Sequence, residues 1–322
     1  MRIEQLRISN LRIIEELGIE PVPGMNLLTG SNGAGKTTIL EAIYLLGNGR
    51  SFRHPEAGPL LREGADSTLV TGKLKDDRGR SIKLGVQRKR KEFIARKDGE
   101  GVRRRSELMR QLPVQLILPI SHEIIEKGPE LRRRFLDQGL FHVEQPYHRL
   151  MLEYSRLLKQ RNAALRTGDV ELVRSFNLLL AERGEELNLL RDAFVRSLQQ
   201  ELVDVLVKLR AQEHGVSLEF RRGWNQGVSL LEILEQNERS DLKQGFTIAG
   251  PHRADMGFRV LNRRAAANKV LSRGQQKLLV YALILGYLEM VRKAEKESPV
   301  LLVDDLDAEL DAIRIDSVLD QL

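Results

Sequence analysis

The chain has 322 residues, 41% apolar and 30% charged, with 52 Lys and Arg, 45 Asp and Glu, six His and no Cys. That size suits one large domain or two ordinary ones, and the missing cysteines exclude a disulfide framework and any thiolate metal site. The opening Met1-Arg2-Ile3-Glu4-Gln5-Leu6-Arg7-Ile8 mixes acid and base without an apolar signal region, and no run nears the roughly 20 apolar residues of a membrane span, so the expectation is a cytoplasmic protein.

Residues 2–9 and 11–20 carry partial period-two alternation, which predicts two strands joined near Ser9-Asn10. Met25-Asn26-Leu27-Leu28-Thr29 reads as a short buried strand. Gly30-Ser31-Asn32-Gly33-Ala34-Gly35-Lys36-Thr37 then fits G-x-x-x-x-G-K-[ST], a phosphate-binding loop. Glycines let the backbone turn its N–H groups inward toward phosphate oxygens. Lys36 would reach the β- and γ-phosphates and the Thr37 hydroxyl would hold Mg²⁺. Thr38–Leu46 reads as a helix with Ile39, Ile43 and Leu46 apolar, so the anion would sit at a helix N-terminus. A glycine-rich turn can match this pattern by chance, but the strand before and the helix after argue against chance here.

Residues 67–73 and 81–87 predict a hairpin closed by Asp76-Asp77-Arg78-Gly79, and Asp98-Gly99 marks another turn. The net charge of +7 is concentrated here: residues 75–134 hold 18 Lys and Arg against 9 Asp and Glu, and the rest of the chain is nearly neutral. The basic runs are Arg88-Lys89-Arg90-Lys91, Arg103-Arg104-Arg105 and Arg132-Arg133-Arg134. Such clustering suits a polyphosphate partner through counterion release. Arg88, Lys89, Arg90, Lys91, Arg103, Arg104 and Arg105 are the DNA-binding candidates, with Arg161, Arg263 and Arg264 as the fallback. The plainer reading of any one run is a solvated face.

From about 130 to 212 the period becomes helical, with a break at Thr167-Gly168-Asp169. Two helices of this length predict an antiparallel arm or helical lobe. Strand character returns at Val216–Phe220 and near Phe246-Thr247-Ile248. A helix is predicted over 275–294, and Val300-Leu301-Leu302-Val303 reads as a buried parallel strand.

That last strand ends in Asp304-Asp305, the form of a Walker B element. Asp304 would hold Mg²⁺, and Asp305 would orient or deprotonate the attacking water. An N-cap carboxylate is the alternative. Leu271-Ser272-Arg273-Gly274-Gln275 matches the L-S-x-G-Q signature of ABC-type ATPases, offering the Ser272 hydroxyl and the Gly274 N–H to an anion at a helix start. With Glu309-Leu310-Asp311 following, the order of elements is that of an ABC-type head, which pairs with a second copy around two ATPs. His252 lies in Gly-Pro-His-Arg either as a turn residue or beside the site.

The sequence also resembles the RecF family of bacterial DNA replication and repair proteins nearly end to end. The resemblance rests on Ile8–Arg12, Leu40–Tyr44, Gly49-Arg50-Ser51-Phe52-Arg53, Arg132–Asp137, Leu158–Leu165 and Gly250-Pro251-His252-Arg253-Ala254-Asp255. It implies an α/β ABC-type ATPase head with an inserted helical lobe. It also implies ATP and Mg²⁺ as cofactors, an ATP-dependent homodimer, weak DNA-stimulated ATP hydrolysis, and work beside RecR, RecO and RecA at single-strand gaps. Arg12 and Thr38 join the nucleotide-contacting set, and Gln115 would sense the γ-phosphate. Where the family has Pro-Glu after the Gln-bearing strand, this chain has Ile120-Ser121, and where it has Ser before Glu-Leu-Asp, this chain has Ala308. The chain stops at Leu322, where the family continues by at least a strand and a helix, so weakened turnover is expected.

The expected division is a head from 1–120 and 215–322 with a helical lobe at 121–214. A transporter ATPase subunit would lack the basic segment. A DNA- or protein-binding adaptor without turnover stays open.

Overall fold

Alternation of buried and exposed side chains makes the early part of the chain a sheet. A computed structural model describes residues 1–54, 56, 58–76, 79–211, 215–295, 299–305, 316–318 and 320. Strand β1 (Arg2–Leu11) turns back into β2 (Ile14–Ile19). The join falls at Arg12-Ile13, later than expected at Ser9-Asn10, because the ladder persists until Leu11 faces Ile14. After helix α1 (Lys36–Asn48) come β3 (Ser67–Lys75), β4 (Ser81–Lys89), β5 (Phe93–Lys97) and β6 (Glu100–Gly101). The six strands form one antiparallel sheet in the order β2-β1-β3-β4-β5-β6.

Alternate residues of this sheet face α1. Leu6 and Ile8 on β1, Val70 and Leu74 on β3, and Leu84 and Val86 on β4 join Ala42, Leu45 and Leu46 of α1 in one buried cluster. Each Leu, Ile or Val among them contributes about 1.5–3 kcal/mol on burial. Gly72 makes the close approach possible, since a Cβ there would stand 2.5 Å from Leu46 Cδ2. Helix α2 (Arg105–Gln111) leads to β7 (Val114–Ile117).

Helices α3 (Glu123–Glu126), α4 (Pro129–Val143), α5 (Tyr147–Thr167) and α6 (Val170–Lys208) follow. Asp169 ends the predicted break as the N-cap of α6, accepting from Leu172 N at 3.0 Å. At 39 residues, α6 runs about 58 Å, and α5 packs along it. Then come β8 (Val216–Arg221), α7 (Leu230–Gln236), α8 (Glu238–Gln244), β9 (Asp255–Val260), β10 (Ala265–Ala266), α9 (Ala267–Val270), α10 (Arg273–Glu295) and β11 (Val300–Val303). Strands β10, β9 and β8 form a small antiparallel sheet, and β11 pairs with β7 in parallel.

Two expected strands are absent. Residues 25–29 pair with no described strand, and Met25 and Leu27 are exposed, Leu27 by 82%. The apolar composition that implied burial finds no neighbouring strand, because the β11–β7 ladder does not extend to it. Phe246-Thr247-Ile248 is irregular. Its polar backbone is satisfied by side chains instead: Thr247 N donates to Asn162 Oδ1 at 2.8 Å and Ile248 N to Asp241 Oδ1 at 3.0 Å.

By compactness the chain divides in two. Among the described residues, one unit holds Met1–Pro119 with the stretch from Val291 to Asp305, and the other holds Ile120–Met290 with the residues described after 315. Residues 215–290 therefore group with the helices as packed matter, not with 1–120 as the sequence reading divides the chain. Among the described residues no helix is long and apolar enough to cross a membrane.

Candidate functional site

In the first unit the loop Gly30–Thr37 leads directly into α1. Gly30, Gly33 and Gly35 have φ of 153°, 82° and 98°, conformations that only glycine adopts without strain. Ala34 N bonds Ser31 O at 3.2 Å and closes the turn. Ser31, Asn32, Gly33 and Ala34 are exposed, Gly35 is buried, and Thr38 is buried in the first turn of α1. The α1 N-terminus has no side-chain cap and no acid in its first turn, leaving its donors and dipole to an anion. Lys36 Nζ donates to Gly30 O at 2.6 Å and Ser31 O at 3.1 Å. The ammonium is thus held over the loop by its carbonyl oxygens.

Strand β11 carries Asp304 to the same place. Its register sets Val303 beside Ile117, and Asp304 N continues the ladder to Ile117 O at 3.0 Å. Thr37 Oγ1 lies 3.2 and 3.1 Å from the two Asp304 carboxylate oxygens. Burial holds the Asp304 carboxyl above the ordinary range, and Asp305 pushes in the same direction. The Thr37 hydrogen bond, Arg53 and Lys36 pull the other way. A half-buried acid beside a hydroxyl, disfavoured as a bare anion, is a donor set suited to a hard divalent cation. Among the described residues no group of three or more His, Asp or Glu gathers as a metal site elsewhere. Asp305 is exposed with φ 51°, a conformation Asp tolerates.

Arg12 stands at the β1–β2 turn, whose neighbour Ile13 would lie 3.3 Å from a Cβ at Gly35. The guanidinium grips the buried Glu41 of α1 with Nε and Nη2, the latter at 2.8 Å from Oε1. Ser51 Oγ also donates to Glu41 and accepts from Arg53 N at 2.9 Å and His54 N at 3.1 Å. Arg12, Glu41 and Ser51 therefore position the segment that carries Arg53 toward Asp304. Sequence reasoning did not single out Arg53 for the site. Its only signal was membership of the Gly49–Arg53 block. Gln115 stands opposite Leu301 in the β7–β11 register, three residues before the level of Asp304.

The signature residues lie in the second unit, at the start of α10. Ser272 N donates to Gln275 Oε1 at 2.9 Å, and Gln275 N points to Ser272 Oγ at 3.4 Å. This is a capping box, with Ser at the N-cap and Gln three residues on. Ser272 and Arg273 are exposed and Gly274 partly so. Ala308 and Glu309-Leu310-Asp311 lie outside the described residues.

The basic runs divide sharply. Arg88 faces the core side of β4 beside Phe93, while Lys89 pairs with Glu92 at 2.7 Å. Arg90, Lys91, Arg103, Arg104 and Arg105 are exposed. Arg132 is structural: it is buried and binds Asp255 at 2.7 and 3.2 Å and two backbone carbonyls. Arg133 donates to Ala254 O at 2.8 Å. Arg161, a fallback DNA contact, is fully buried and binds Asp241, Asn177 and Thr247, so it cannot reach phosphate. Arg263 and Arg264 are exposed.

His252 is a turn residue in a buried polar seam of the second unit. Burial pushes its pKa down to about 4. Its Nε2 faces Thr247 O at 2.9 Å and its Nδ1 faces Tyr154 Oη at 2.8 Å. A carbonyl only accepts, so Nε2 carries the proton and the Tyr154 hydroxyl donates to Nδ1.

Three comparisons bear on this site. A profile of the RecF/RecN/SMC N-terminal domain matches residues 2–322. The DNA replication and repair protein RecF of Thioalkalivibrio sulfidiphilus is 40% identical over 314 residues, covering 97% of this chain and 86% of that protein. The protein of the same name in Nitrosococcus oceani is 37% identical over 316 residues, with the same coverage of 97% and 86%. Among solved structures, the recombination mediator protein RecF with ATP, from the RecFOR pathway, superposes with a TM-score of 0.88 at 26% identity over 99% of this chain and 89% of that one. The Smc head domain of Pyrococcus furiosus, at 13% identity and a TM-score of 0.51 over 98% and 91%, shares the fold.

Proposed function

The chain belongs to the RecF family of DNA replication and repair proteins, and from that premise we propose that it is an ATP-driven dimeric clamp on DNA. It acts in the cytoplasm at single-strand gaps and promotes RecA loading together with RecO and RecR. The observation that carries the nucleotide part is the meeting of Thr37 and Asp304 across 267 positions of chain. Residues 30–38 bind the triphosphate through backbone N–H groups and Lys36. Arg12 acts on the loop through Glu41 and the turn beside Gly35.

Thr37 and Asp304 would hold Mg²⁺, which supplies charge neutralisation at the β- and γ-phosphates. Asp305, exposed at the end of β11, accepts the proton of the attacking water or orients it. Ser272, Gly274 and Gln275 offer their helix start to the nucleotide of the second copy, so each site is complete only in the dimer. Closure follows from that division of parts: ATP favours the paired state, and hydrolysis removes the preference. Turnover is slow and DNA-stimulated.

Lys36→Ala should abolish tight ATP binding, because it removes the cation held over Gly30 and Ser31. Lys36→Arg keeps the charge but misplaces it, so binding survives while hydrolysis falls. Titration with a fluorescent ATP analogue and a steady-state ATPase assay, with and without duplex DNA, read both. Unchanged affinity in Lys36→Ala would sink the assignment. Binding without any turnover in the wild type would favour an adaptor over an ATPase.

A further inference from the structure

At the end of α1 opposite the phosphate loop, three parts of the first unit meet. Arg88 is the penultimate residue of β4 and is in register with Phe93 of β5. Arg105 opens α2. Both guanidiniums lie over the Phe93 ring, 5.5 and 5.2 Å from its centroid. Gly49 lies directly against Phe93 and Arg105, since a Cβ there would be 2.9 Å from Phe93 Cζ and 3.0 Å from Arg105 Cγ.

The chemistry of this corner is one-sided. Neither arginine has an ion pair or side-chain hydrogen bond among the described residues. Arg88 Nε is buried and lacks any acceptor, and so does Asn48 Nδ2, one residue before Gly49. Burial raises the cost of the Arg88 charge, and the neighbouring Arg105 guanidinium adds to it. Buried donors without partners are rare in folded proteins because each costs about 1–3 kcal/mol. Attraction to a ring face returns only about 0.5–2 kcal/mol per cation. Two arginines that share a ring, lack a carboxylate and leave donors over are therefore matched to an anion that bridges them.

We infer that Arg88 and Arg105, set by Phe93, form a two-armed site for one backbone phosphate of duplex DNA. The inference rests on the DNA-binding reading above and names the contact within it. A polyanion fits better than a small free anion, because the exposed Arg90, Lys91, Arg103 and Arg104 lie next to the pair in sequence and extend the positive charge. Planar, forked guanidiniums suit a phosphodiester, whose oxygens accept from two sides. Phe93 is a positioning residue: it touches the arginines, and the phosphate is gripped by them.

The test is the salt dependence of duplex binding by the full chain, measured by fluorescence anisotropy for wild type, Arg88→Gln, Arg105→Gln and the double variant. Each phosphate neutralised contributes a log–log slope of about −0.9, roughly a three- to fourfold change in affinity between 50 and 200 mM salt. Both single variants should flatten the slope by about that amount. The double variant should flatten it no further, because the two arms share one phosphate. Phe93→Leu keeps both charges and should still weaken binding. ATP affinity should be unchanged in all four variants, which verifies that they fold, and Arg105→Gln, exposed on the surface, keeps the test alive if changes at Arg88 disturb the core. Inorganic phosphate should not compete at concentrations beyond its ionic-strength effect.

A wild type that binds duplex with its slope and affinity intact in the double variant overturns this site alone. Strictly additive losses overturn the shared phosphate, and strong competition by inorganic phosphate overturns DNA as the ligand of the pair. A wild type with no salt-sensitive duplex binding overturns the DNA reading and this site with it.

Discussion

Asp304 carries a charge in a place that disfavours it. Burial raises its pKa above the usual 3.8, so the folded state holds this proton more tightly than the unfolded chain. Its favourable contribution is present below pH 3.8 and is lost as pH rises through the folded value. At neutral pH the ionised carboxylate is thus a cost that a bound cation offsets. Asp304→Asn should melt at a higher temperature than wild type at pH 7 without divalent cation, and should lose the stabilisation that Mg²⁺–ATP gives the wild type. Thermal melts from pH 4 to 8, with and without Mg²⁺–ATP, decide this. Equal stabilisation of both proteins would remove Asp304 from the metal site.

His252 shows the opposite kind of burden. Its pKa falls from 6.5 to about 4, so the unfolded chain takes the proton first. Stability is then lost as pH falls from 6.5 toward 4, by up to about 3 kcal/mol. His252→Gln should flatten that part of the curve in urea unfolding.

At the level of elements, two helix starts of this chain differ in how they are closed. The first is the N-terminus of α1, left uncapped behind three glycines. The second is the N-terminus of α10, closed by its own Ser272–Gln275 box yet exposed. Under the proposed clamp, the first start takes the nucleotide of its own subunit and the second faces that of a second subunit. Ser272→Arg should leave ATP binding intact and abolish ATP-induced dimerisation, because a basic residue at that helix start opposes the dipole and crowds the seam. Light scattering with a non-hydrolysable ATP analogue reads the outcome. Ser272→Ala, which costs only the cap, about 1 kcal/mol, separates a lost interface from a frayed helix. Normal dimerisation of Ser272→Arg would take the signature out of the interface.

At the scale of the whole molecule, the motifs most particular to the chain turn out to be its internal fastenings. Arg161 of the Lys-Gln-Arg-Asn block binds Asp241 at 2.7 Å with both side chains fully buried. Arg191 binds Asp137 at 2.6 Å and Pro251 O at 2.7 Å, which fixes the Gly-Pro-His-Arg turn against α6. Removing one partner of a buried pair strands the other, at about 3–5 kcal/mol. Arg161→Gln should therefore lower unfolding stability by about that amount. At temperatures where it stays folded, the salt slope of DNA binding should be unchanged. A flattened slope would contradict its burial.

The sequence by itself determined what depends on neighbours along the chain. The glycine pattern specifies the backbone of residues 30–36, Asp98-Gly99 specifies its turn, Thr167-Gly168-Asp169 specifies the helix break, and Ser272 with Gln275 specifies a helix cap. In each the partners lie within a few residues, so spacing carries the geometry. Only the tertiary structure decided which charges are free. Arg88, Arg132 and Arg161 read alike as basic residues, yet one lies over a ring, one binds Asp255 and one Asp241. The apolar run 25–29 read as buried, yet it meets solvent. Burial and pairing depend on groups brought from far along the chain. The register of β11 on β7, which carries Asp304 to Thr37, is a property of two strands together.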